Sequence, residues 1–446
     1  MTGFSTLPLG KKIMQIRKSK GLSMENVAHA IKKSQPFISR FERGEADCSA
    51  EELESIKKFL EIENAPLFEH ELKFYKSQLW VLHNLLIADR DPEAEALFQK
   101  LSSILDLPFE DDLQMLYTMF EIRMLLIKVG NRFPLPAKDK QKLEKKMVAE
   151  EKLKAAENLI DFGAASDEIL QLYHCIKGSL CAHKMDIKGR IKHFLKALDH
   201  TTDNMPIDTR LYYYIGSSFI SLGKPFKAMI YLEHSKLSER NSVNRYAIHI
   251  NMSLALAYMC TGEYRKAEKM LAESLIQAES TGNKTHKMII LSYMGSLYNT
   301  TKQYEKSLNF FDQAIAYANN DNNAIVNLLC SKANSLRKLK RLDECSEVLA
   351  HARKLTNGDE HSIIDIETEG HCMTIDNSDS LQYLENVALP YFRKLKGVNA
   401  LNAIEIYKEL EAYYLKKRSK MKALTMAAII RDIYEEAFYC DDDTLE

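Results

Sequence analysis

The sequence predicts a protein built almost entirely of α-helices. Its 446 residues include sixteen glycines and ten prolines, so the residues that interrupt helices are few. Apolar residues recur three and four positions apart along most of the chain, and the alternation typical of β-strands is absent. A chain of this length is too long for one hydrophobic core, and we therefore expect two or more domains.

The cysteines and the apolar segments favour a cytoplasmic protein. The eight cysteines are scattered and form no C-x-x-C pair, which argues against a zinc or thioredoxin-like site and favours a reducing compartment. No apolar stretch approaches the roughly 20 residues that span a bilayer. No signal peptide is evident at the N-terminus. We expect no metal, no cofactor and no membrane partner.

Four short helices are predicted at the start of the chain. Leu9 to Lys20 forms the first, Ser23 caps the second, and Ser49 to Glu52 is a capping box that opens the fourth. Apolar residues at helical spacing predict a small core containing Ile13, Ile16, Val27, Ala28, Ile31, Leu53, Ile56, Phe59 and Leu60.

The third helix, from Ser34 to Gly44, is the best candidate for a functional surface. The Ser34 hydroxyl can cap the helix, Pro36 is tolerated in the first turn, and Gly44 can end it. Ile38 and Phe41 can face the core, which leaves the polar and cationic side chains free. Such a helix offers amide, hydroxyl and guanidinium groups to a DNA major groove.

The charge of the N-terminal segment fits this interpretation. Residues 1–46 carry nine lysines and arginines against three glutamates. A surface that binds phosphates requires such a basic excess. An ordinary solvated surface is the alternative explanation.

Residues Leu9 to Leu60 resemble the Cro/repressor (XRE-type) helix-turn-helix. The motif reads L-G-K-K-I, I-R-K-S-K-G-L-S, V-A and S-Q-P-F-I-S-R-F-E-R-G-E. The resemblance implies a structural pair between Arg17 and Glu42. Met24 departs from it, because the family often has Gln there. The resemblance further implies base contacts from Gln35, Pro36, Phe37 and Arg40. It implies phosphate contacts from Ser39, Lys32 and Lys33, and Arg43 lies on the same helix.

A repeat begins near residue 170. Small residues recur about 38–40 positions apart, at Gly178, Gly216, Ala255, Gly295 and Ala333. A small residue lets two antiparallel helices approach, and large residues on both helices fill the remaining space. The pattern resembles tetratricopeptide repeats, which implies a right-handed superhelix with a concave groove. Residues 361–400 carry the weakest copy.

These observations divide the chain into three parts. We expect a helix-turn-helix domain over 1–64 and a helical linker with degenerate repeats over 65–165. A tetratricopeptide-repeat domain for peptide sensing and dimerisation follows over 166–446. The predicted fold class is therefore all-α.

Polar side chains at the inward positions of the repeats are candidates for ligand contacts. An asparagine amide can donate and accept at once, which suits an extended peptide backbone, and Arg337 could bind a carboxylate with both arms. An asparagine on an exposed helix is, however, more often simply solvated. The candidates are Tyr213, Asn251, Ser296, Asn299, Asn327, Ser331, Asn334 and Arg337.

The combination of the two modules resembles the RRNPP family of peptide-pheromone receptors, cytoplasmic regulators of Gram-positive bacteria and their phages. The resemblance implies a double-stranded DNA operator and a short, re-imported signalling peptide as partners. It also implies a dimer whose geometry the peptide alters. Apolar residues in the last helices likewise suggest a homodimer. The alternative is a peptide-controlled regulator that sequesters a response regulator. Nucleotide-binding, metalloprotease and esterase motifs are absent from the sequence, so we do not expect an enzyme.

Overall fold

All regular secondary structure in the described part of the chain is helical, which confirms the predicted fold class. The computed structural model describes residues 9–63, 68–87, 90–105, 111–129, 140–202, 205, 209–238, 246–319, 321–356 and 358–438. Contacts divide the chain into two compact units, Met1–Asp208 and Thr209–Glu446. The predicted domain boundary at 64–65 lies outside the described residues. No helix in the described ranges is long and apolar enough to cross a membrane.

The first unit begins with four short helices around one apolar core. Ile13, Ile16, Ile38 and Ile56 are almost completely buried at its centre. The described helices of this unit are α1 (Leu9–Ser19), α2 (Met24–Ala30), α3 (Gln35–Arg43), α4 (Ala50–Phe59), α5 (Glu69–Ile87), α6 (Asp91–Leu105), α7 (Asp111–Val129), α8 (Lys140–Glu157), α9 (Asp167–His183) and α10 (Ile187–Asp199).

Most of the predicted helix ends in this bundle are confirmed. The Ser23 hydroxyl accepts a hydrogen bond from the Asn26 amide. Ser49 and Glu52 form the predicted capping box, in which the Ser49 amide donates to the Glu52 carboxylate at 2.8 Å. Gly44 ends α3 in the left-handed conformation at φ 78°. Sequence-local capping rules therefore suffice to place these ends.

Two predictions about this bundle are wrong. Ser34 occupies the N-cap position of α3, but its hydroxyl caps nothing. The reason is local: Pro36 has no amide hydrogen, and the Phe37 amide already donates to the Ser34 carbonyl at 3.0 Å. Phe59 does not join the core either, because 37% of its surface is exposed at the end of α4.

The second unit contains the regular helical hairpins. Consecutive helices pair as antiparallel neighbours from α11 to α18, and α23 pairs with α24. The described helices are α11 (Thr209–Ser221), α12 (Pro225–Ser238), α13 (Ala247–Cys260), α14 (Tyr264–Ser280), α15 (Lys284–Thr300), α16 (Tyr304–Ala316), α17 (Asn322–Lys338), α18 (Leu342–Leu355), α19 (Glu360–Met373), α20 (Ser378–Tyr383), a π-helix (Leu384–Ala388), α21 (Leu389–Lys394), α22 (Val398–Asn402), α23 (Ile404–Lys416) and α24 (Lys420–Phe438).

The small residues of the repeat lie where helices of a pair touch. A Cβ atom added to Gly216 would lie 2.6 Å from the Leu232 side chain, and one added to Gly295 would lie 2.6 Å from the Phe311 ring. Ala333 is completely buried. This confirms the prediction that small side chains set the close approach of paired helices.

Residues 361–400, which were predicted to carry the weakest copy of the repeat, contain short and interrupted helices. Between α19 and α23 the chain forms three short α-helices and the π-helix. Their apolar residues pack with those of the last hairpin around Leu384 and Tyr407, both of which are completely buried. The segment therefore joins the C-terminal hairpin in one core.

The first and last hairpins of the second unit also contact each other. The Lys224 ammonium donates to the Glu436 carbonyl, and the rings of Phe226 and Phe438 lie 5.3 Å apart between centroids. The helices of this unit therefore enclose a space between them rather than forming an open row.

Candidate functional site

The first candidate site is the exposed face of α3, and a buried ion pair fixes the helix that carries it. Arg17 in α1 donates from Nε to Glu42 Oε1 at 2.6 Å and from Nη2 to Glu42 Oε2 at 2.8 Å. Its Nη1 donates to the Leu22 carbonyl at 2.7 Å. Hydrogen bonding to Glu42 raises the pKa of Arg17. The structural pair implied by the resemblance is thus present, and both side chains are buried away from the exposed face.

Five predicted DNA-contacting residues lie around one surface depression of about 400 Å³. Gln35, Pro36, Arg40 and Arg43 are exposed, and Ser39 is half-buried between them. Met24, at the start of α2, completes the lining, which is Met24, Gln35, Pro36, Ser39, Arg40 and Arg43. The depression thus combines amide, hydroxyl and guanidinium groups with apolar atoms, as a surface that reads base edges must.

The three other predicted residues are placed differently. Phe37 is half-buried and packs against the bundle core, with the Lys33 ammonium 5.3 Å from its ring centroid. Lys33 also pairs with Glu52 at 2.5 Å. This hydrogen bond is the largest reason why the pKa of Glu52 falls to about 2. Lys32 lies in the turn between α2 and α3 with a positive φ of 55° and is exposed.

The cations of this face differ in how freely they can meet a phosphate. Arg43 pairs with Glu45 at 2.8 Å, and both side chains are more than half exposed. Arg40 has no ion-pair partner among the residues that the structure describes. Because exposed ion pairs are worth little, Arg43 can exchange Glu45 for another anion at small cost.

The second candidate site is a cavity of about 460 Å³ inside the second unit. Helices α13, α15, α17, α19 and α23 contribute to its wall. Six of the predicted peptide-contacting residues line it: Ser296, Asn299, Asn327, Ser331, Asn334 and Arg337. Consecutive repeats thus bring these polar groups together around one space.

Tyr213 and Asn251 do not line this cavity. The Tyr213 ring packs near Tyr246 and His249, with centroid distances of 5.8 and 6.3 Å. Asn251 is buried within α13 at 8% exposure. The usual inward position of a repeat therefore did not locate cavity residues in α11 and α13.

Two of the asparagines form a chain of hydrogen bonds across three helices. The Asn299 amide donates to Asn334 Oδ1 at 3.1 Å and to the Ser335 hydroxyl at 2.8 Å. The Asn334 amide in turn donates to Glu369 Oε1 at 2.9 Å. Because side-chain amides have further donor and acceptor capacity, Asn299 and Asn334 can still form hydrogen bonds with a ligand in the cavity.

The expectation that Arg337 is a free cation for a ligand carboxylate is wrong. Its guanidinium binds Glu409 with both arms, at 2.6 and 2.9 Å, and donates from Nε to Glu369 at 2.8 Å. Lys338 also pairs with Glu409 at 2.5 Å. Burial alone would lower the pKa of Arg337, but the two carboxylates raise it above its usual value. Carboxylates of the chain itself therefore occupy the guanidinium.

Sequence reasoning missed the part of the wall that follows α18. Asp365, Thr368 and Glu369 of α19 all line the cavity. Their spacing of three and four positions puts them on one face of a helix, a signal that the sequence contains. Glu405 and Glu409 of α23 also line the cavity. No local sequence pattern indicates that α23 lies beside α17 at this cavity.

Potential metal ligands are not clustered in the described part of the chain. No group of three or more histidine, cysteine, aspartate and glutamate side chains there could hold a metal ion. The cysteines in the described ranges are all unpaired thiols.

Comparison with known proteins agrees with this two-module arrangement. A helix-turn-helix family model matches residues 13–63, and a tetratricopeptide repeat family model matches residues 246–320. The two models describe a helix-turn-helix and a helical repeat, and neither describes an enzyme. A comparison with curated protein sequences finds no match.

Several solved structures share the fold. The apo form of the quorum sensor NprR from B. thuringiensis is 18% identical, covers 81% of this chain and 99% of its own, and has a TM-score of 0.62. NprR in complex with its cognate peptide NprX is 19% identical, with coverages of 81% and 99% and a TM-score of 0.56. A Rap protein complexed with competence and sporulation factor is 14% identical, with coverages of 82% and 99% and a TM-score of 0.60. The chain thus combines a helix-turn-helix with tetratricopeptide repeats, and it shares its fold with these solved structures.

Proposed function

We propose that the protein is a peptide-responsive, sequence-specific DNA-binding transcriptional regulator of the quorum-sensing type, and not an enzyme. A short, re-imported signalling peptide binds the cavity of the second unit and alters the geometry of a dimer on its operator. The observation that carries the proposal is that one chain combines an exposed polar recognition face with a polar cavity of about 460 Å³. The likeness to NprR bound to NprX supports the peptide.

On the DNA side, α3 enters the major groove of a double-stranded operator. Arg40 and Gln35 are the base-reading groups, because each can make two parallel hydrogen bonds to one base. Pro36 and Phe37 offer apolar contacts, and Lys32, Lys33, Ser39 and Arg43 bind phosphates. The domain scheme that goes with this role places DNA binding in residues 1–64, a linker in 65–165 and peptide sensing with dimerisation in 166–446.

On the peptide side, the asparagines and serines of α15 and α17 pair with the backbone of an extended peptide. The backbone groups must find partners once they leave water, and cavity amides supply them. The proposed contacts are Ser296, Asn299, Asn327, Ser331 and Asn334, with Tyr213 and Asn251 serving a longer peptide that extends towards α11 and α13. Arg337 contributes by holding Glu369 and Glu409 at the cavity wall rather than by binding the peptide.

The last hairpin supports a homodimer as the working form. Leu415, Met421 and Leu424 are 57%, 77% and 62% exposed on α23 and α24. A terminal repeat with a free outer face needs polar residues there. Light scattering of the full-length protein at micromolar concentration tests this, and a monomer would contradict it. We propose a cytoplasmic location for this regulator.

Selection of DNA by the full-length protein tests the proposed function. The protein is mixed with random-sequence duplexes, and bound DNA is sequenced with and without a synthetic hexapeptide library present. We expect one enriched motif with two related half-sites, and an enrichment that changes when the library is added. Failure to enrich any motif in either condition would refute the proposal.

The alternative is a regulator that sequesters a response regulator through its repeats under peptide control. Phe226, Ile230 and Leu237 favour a protein contact, because they leave apolar surface exposed along α12. Binding of purified receiver domains to immobilised protein tests it. A complex that survives Phe226→Ser would count against this surface.

A further inference from the structure

The carboxylates of the cavity differ in whether the chain supplies them with a cation. Glu369 and Glu409 both pair with Arg337, and Glu405 pairs with Lys408 at 3.0 Å. Asp365 of α19 also lines the cavity, but no lysine or arginine in the described ranges lies within ion-pair distance of it. Three of these four carboxylates thus pair with a lysine or arginine, and Asp365 pairs with neither among the described residues.

The surroundings of Asp365 are polar but weakly cationic. Its ionisable partner among the described residues is His361 of the same helix, with Nε2 3.6 Å from the carboxylate and half of the imidazole exposed. Burial is the largest influence on the pKa of Asp365; together with the nearby Glu369, and opposed by His361, it raises that pKa to about 6. A partly buried carboxylate without a strong counter-ion is costly, and a bound cation would relieve that cost.

One turn further along α19, Thr368 supplies an independent indication of a ligand. The residue lines the same cavity and is only 4% exposed. Its hydroxyl oxygen is buried and has no hydrogen-bond partner among the residues that the structure describes. Threonine in a helix commonly donates to the carbonyl four residues earlier, so an unused hydroxyl is unusual. Because Asp365 and Thr368 are three positions apart, they lie on the same side of the helix.

We infer that the cavity selects a peptide with a lysine or arginine side chain, whose cationic group binds the Asp365 carboxylate and the Thr368 hydroxyl. The inference rests on the proposed peptide-binding function and names the class of peptide. Both groups accept hydrogen bonds, and an ammonium or guanidinium group only donates. Arg337 cannot play the converse role for an acidic peptide, because Glu369 and Glu409 already occupy it.

Affinity selection from three synthetic hexapeptide pools tests the inference. The pools have the same length and free termini and differ at one randomly placed residue. That residue is lysine or arginine in the basic pool, glutamine or norleucine in the neutral pool, and aspartate or glutamate in the acidic pool. Peptides retained by the full-length protein are identified by mass spectrometry. We expect preferential retention from the basic pool. Asp365→Asn should weaken that retention about ten- to a hundredfold, because a charge-assisted hydrogen bond is lost while the side-chain shape is kept.

Matched variants separate this inference from the proposed function. Asp343→Asn removes an exposed carboxylate on α18 and should leave retention unchanged. Thr368→Val keeps the shape and should weaken retention of the basic pool several-fold. Equal retention of all three pools, or full retention of the basic pool by Asp365→Asn, would overturn the inference and leave peptide binding intact. Retention of no peptide from any pool would overturn the proposed peptide binding, and the inference with it.

Discussion

Arg40 and Arg337 are both arginines that the sequence predicts to meet a ligand, yet their surroundings are opposite. Arg40 is exposed on α3, and its neighbours around the surface depression come from α2 and α3 alone. Arg337 has a side chain that is 10% exposed, and its partners come from α19 and α23. The comparison teaches that a side chain whose neighbours are close in sequence can be interpreted from sequence, whereas one whose partners lie far along the chain cannot.

We expect the largest effect from Arg337→Ala. This substitution leaves Glu369 and Glu409 partly buried without their main cation, and breaking such a pair typically costs about 3–5 kcal/mol. Urea unfolding of the full-length protein, followed by circular dichroism, measures the loss. The matched control is Arg341→Ala, which removes an exposed arginine that pairs with Glu344 and Glu305. If both variants unfold at the same urea concentration, the buried network does not stabilise the second unit.

The same distinction explains how much of the molecule could be predicted from sequence. Helix caps such as Ser23 and Ser49 depend on groups three residues away, and they were predicted correctly. The small residues of the repeat were also predicted, because each one recurs with its large partner on the next helix. Even the error at Ser34 is local, since it follows from the missing amide hydrogen of Pro36.

The cavity could be predicted only in part. The polar residues of α15 and α17 follow the repeat period, and six of the eight candidates do line it. The acidic wall comes from α19 and α23, on either side of the segment where the period is lost. No local pattern indicates that Glu409 pairs with Arg337, and so Arg337 was predicted to be a free cation although two carboxylates of the chain bind it.

Gly295→Ala tests whether the repeat depends on close helix contact. The new Cβ would lie 2.6 Å from the Phe311 ring, which is itself buried, so the core must shift. We expect a loss of about 1–3 kcal/mol in the free energy of unfolding. Gly370→Ala is the control, because its Cβ would meet no atom closer than 3.5 Å. That variant should instead be neutral or stabilising by up to about 1 kcal/mol. An equal gain in both variants would mean that helix propensity rather than packing governs these positions.

Arg40→Ala tests the exposed arginine of the comparison between Arg40 and Arg337. It should weaken operator binding by about 1–3 kcal/mol and relax base preference at one position, while leaving thermal stability unchanged. Fluorescence anisotropy with the selected operator, at one fixed salt concentration, measures the affinity. Lys58→Ala removes an exposed charge from α4 and serves as the control for a general electrostatic effect. Unchanged affinity and specificity in Arg40→Ala would remove Arg40 from the recognition surface.

The smallest effect that we predict is a pH dependence in the first unit, where a partly buried pair links two helices. His174 of α9 and His193 of α10 face each other with their Nδ1 atoms 3.0 Å apart, so one ring must accept the hydrogen bond of the other and stay neutral. Burial, followed by the charge of His193, lowers the pKa of His174 to about 4. Burial likewise lowers the pKa of His193.

The direction of this effect follows from proton linkage. An unfolded histidine titrates near pH 6.5, so between about pH 6.5 and about pH 4 the unfolded chain binds protons that the folded pair excludes. The first unit should therefore lose stability as the pH falls through this window. Thermal melting across it should show a shallower pH dependence in His174→Gln than in the wild type. His351→Gln, which changes an exposed histidine of α18, should keep the wild-type slope. A wild-type slope in His174→Gln would show that the buried pair does not couple protonation to the folding of this unit.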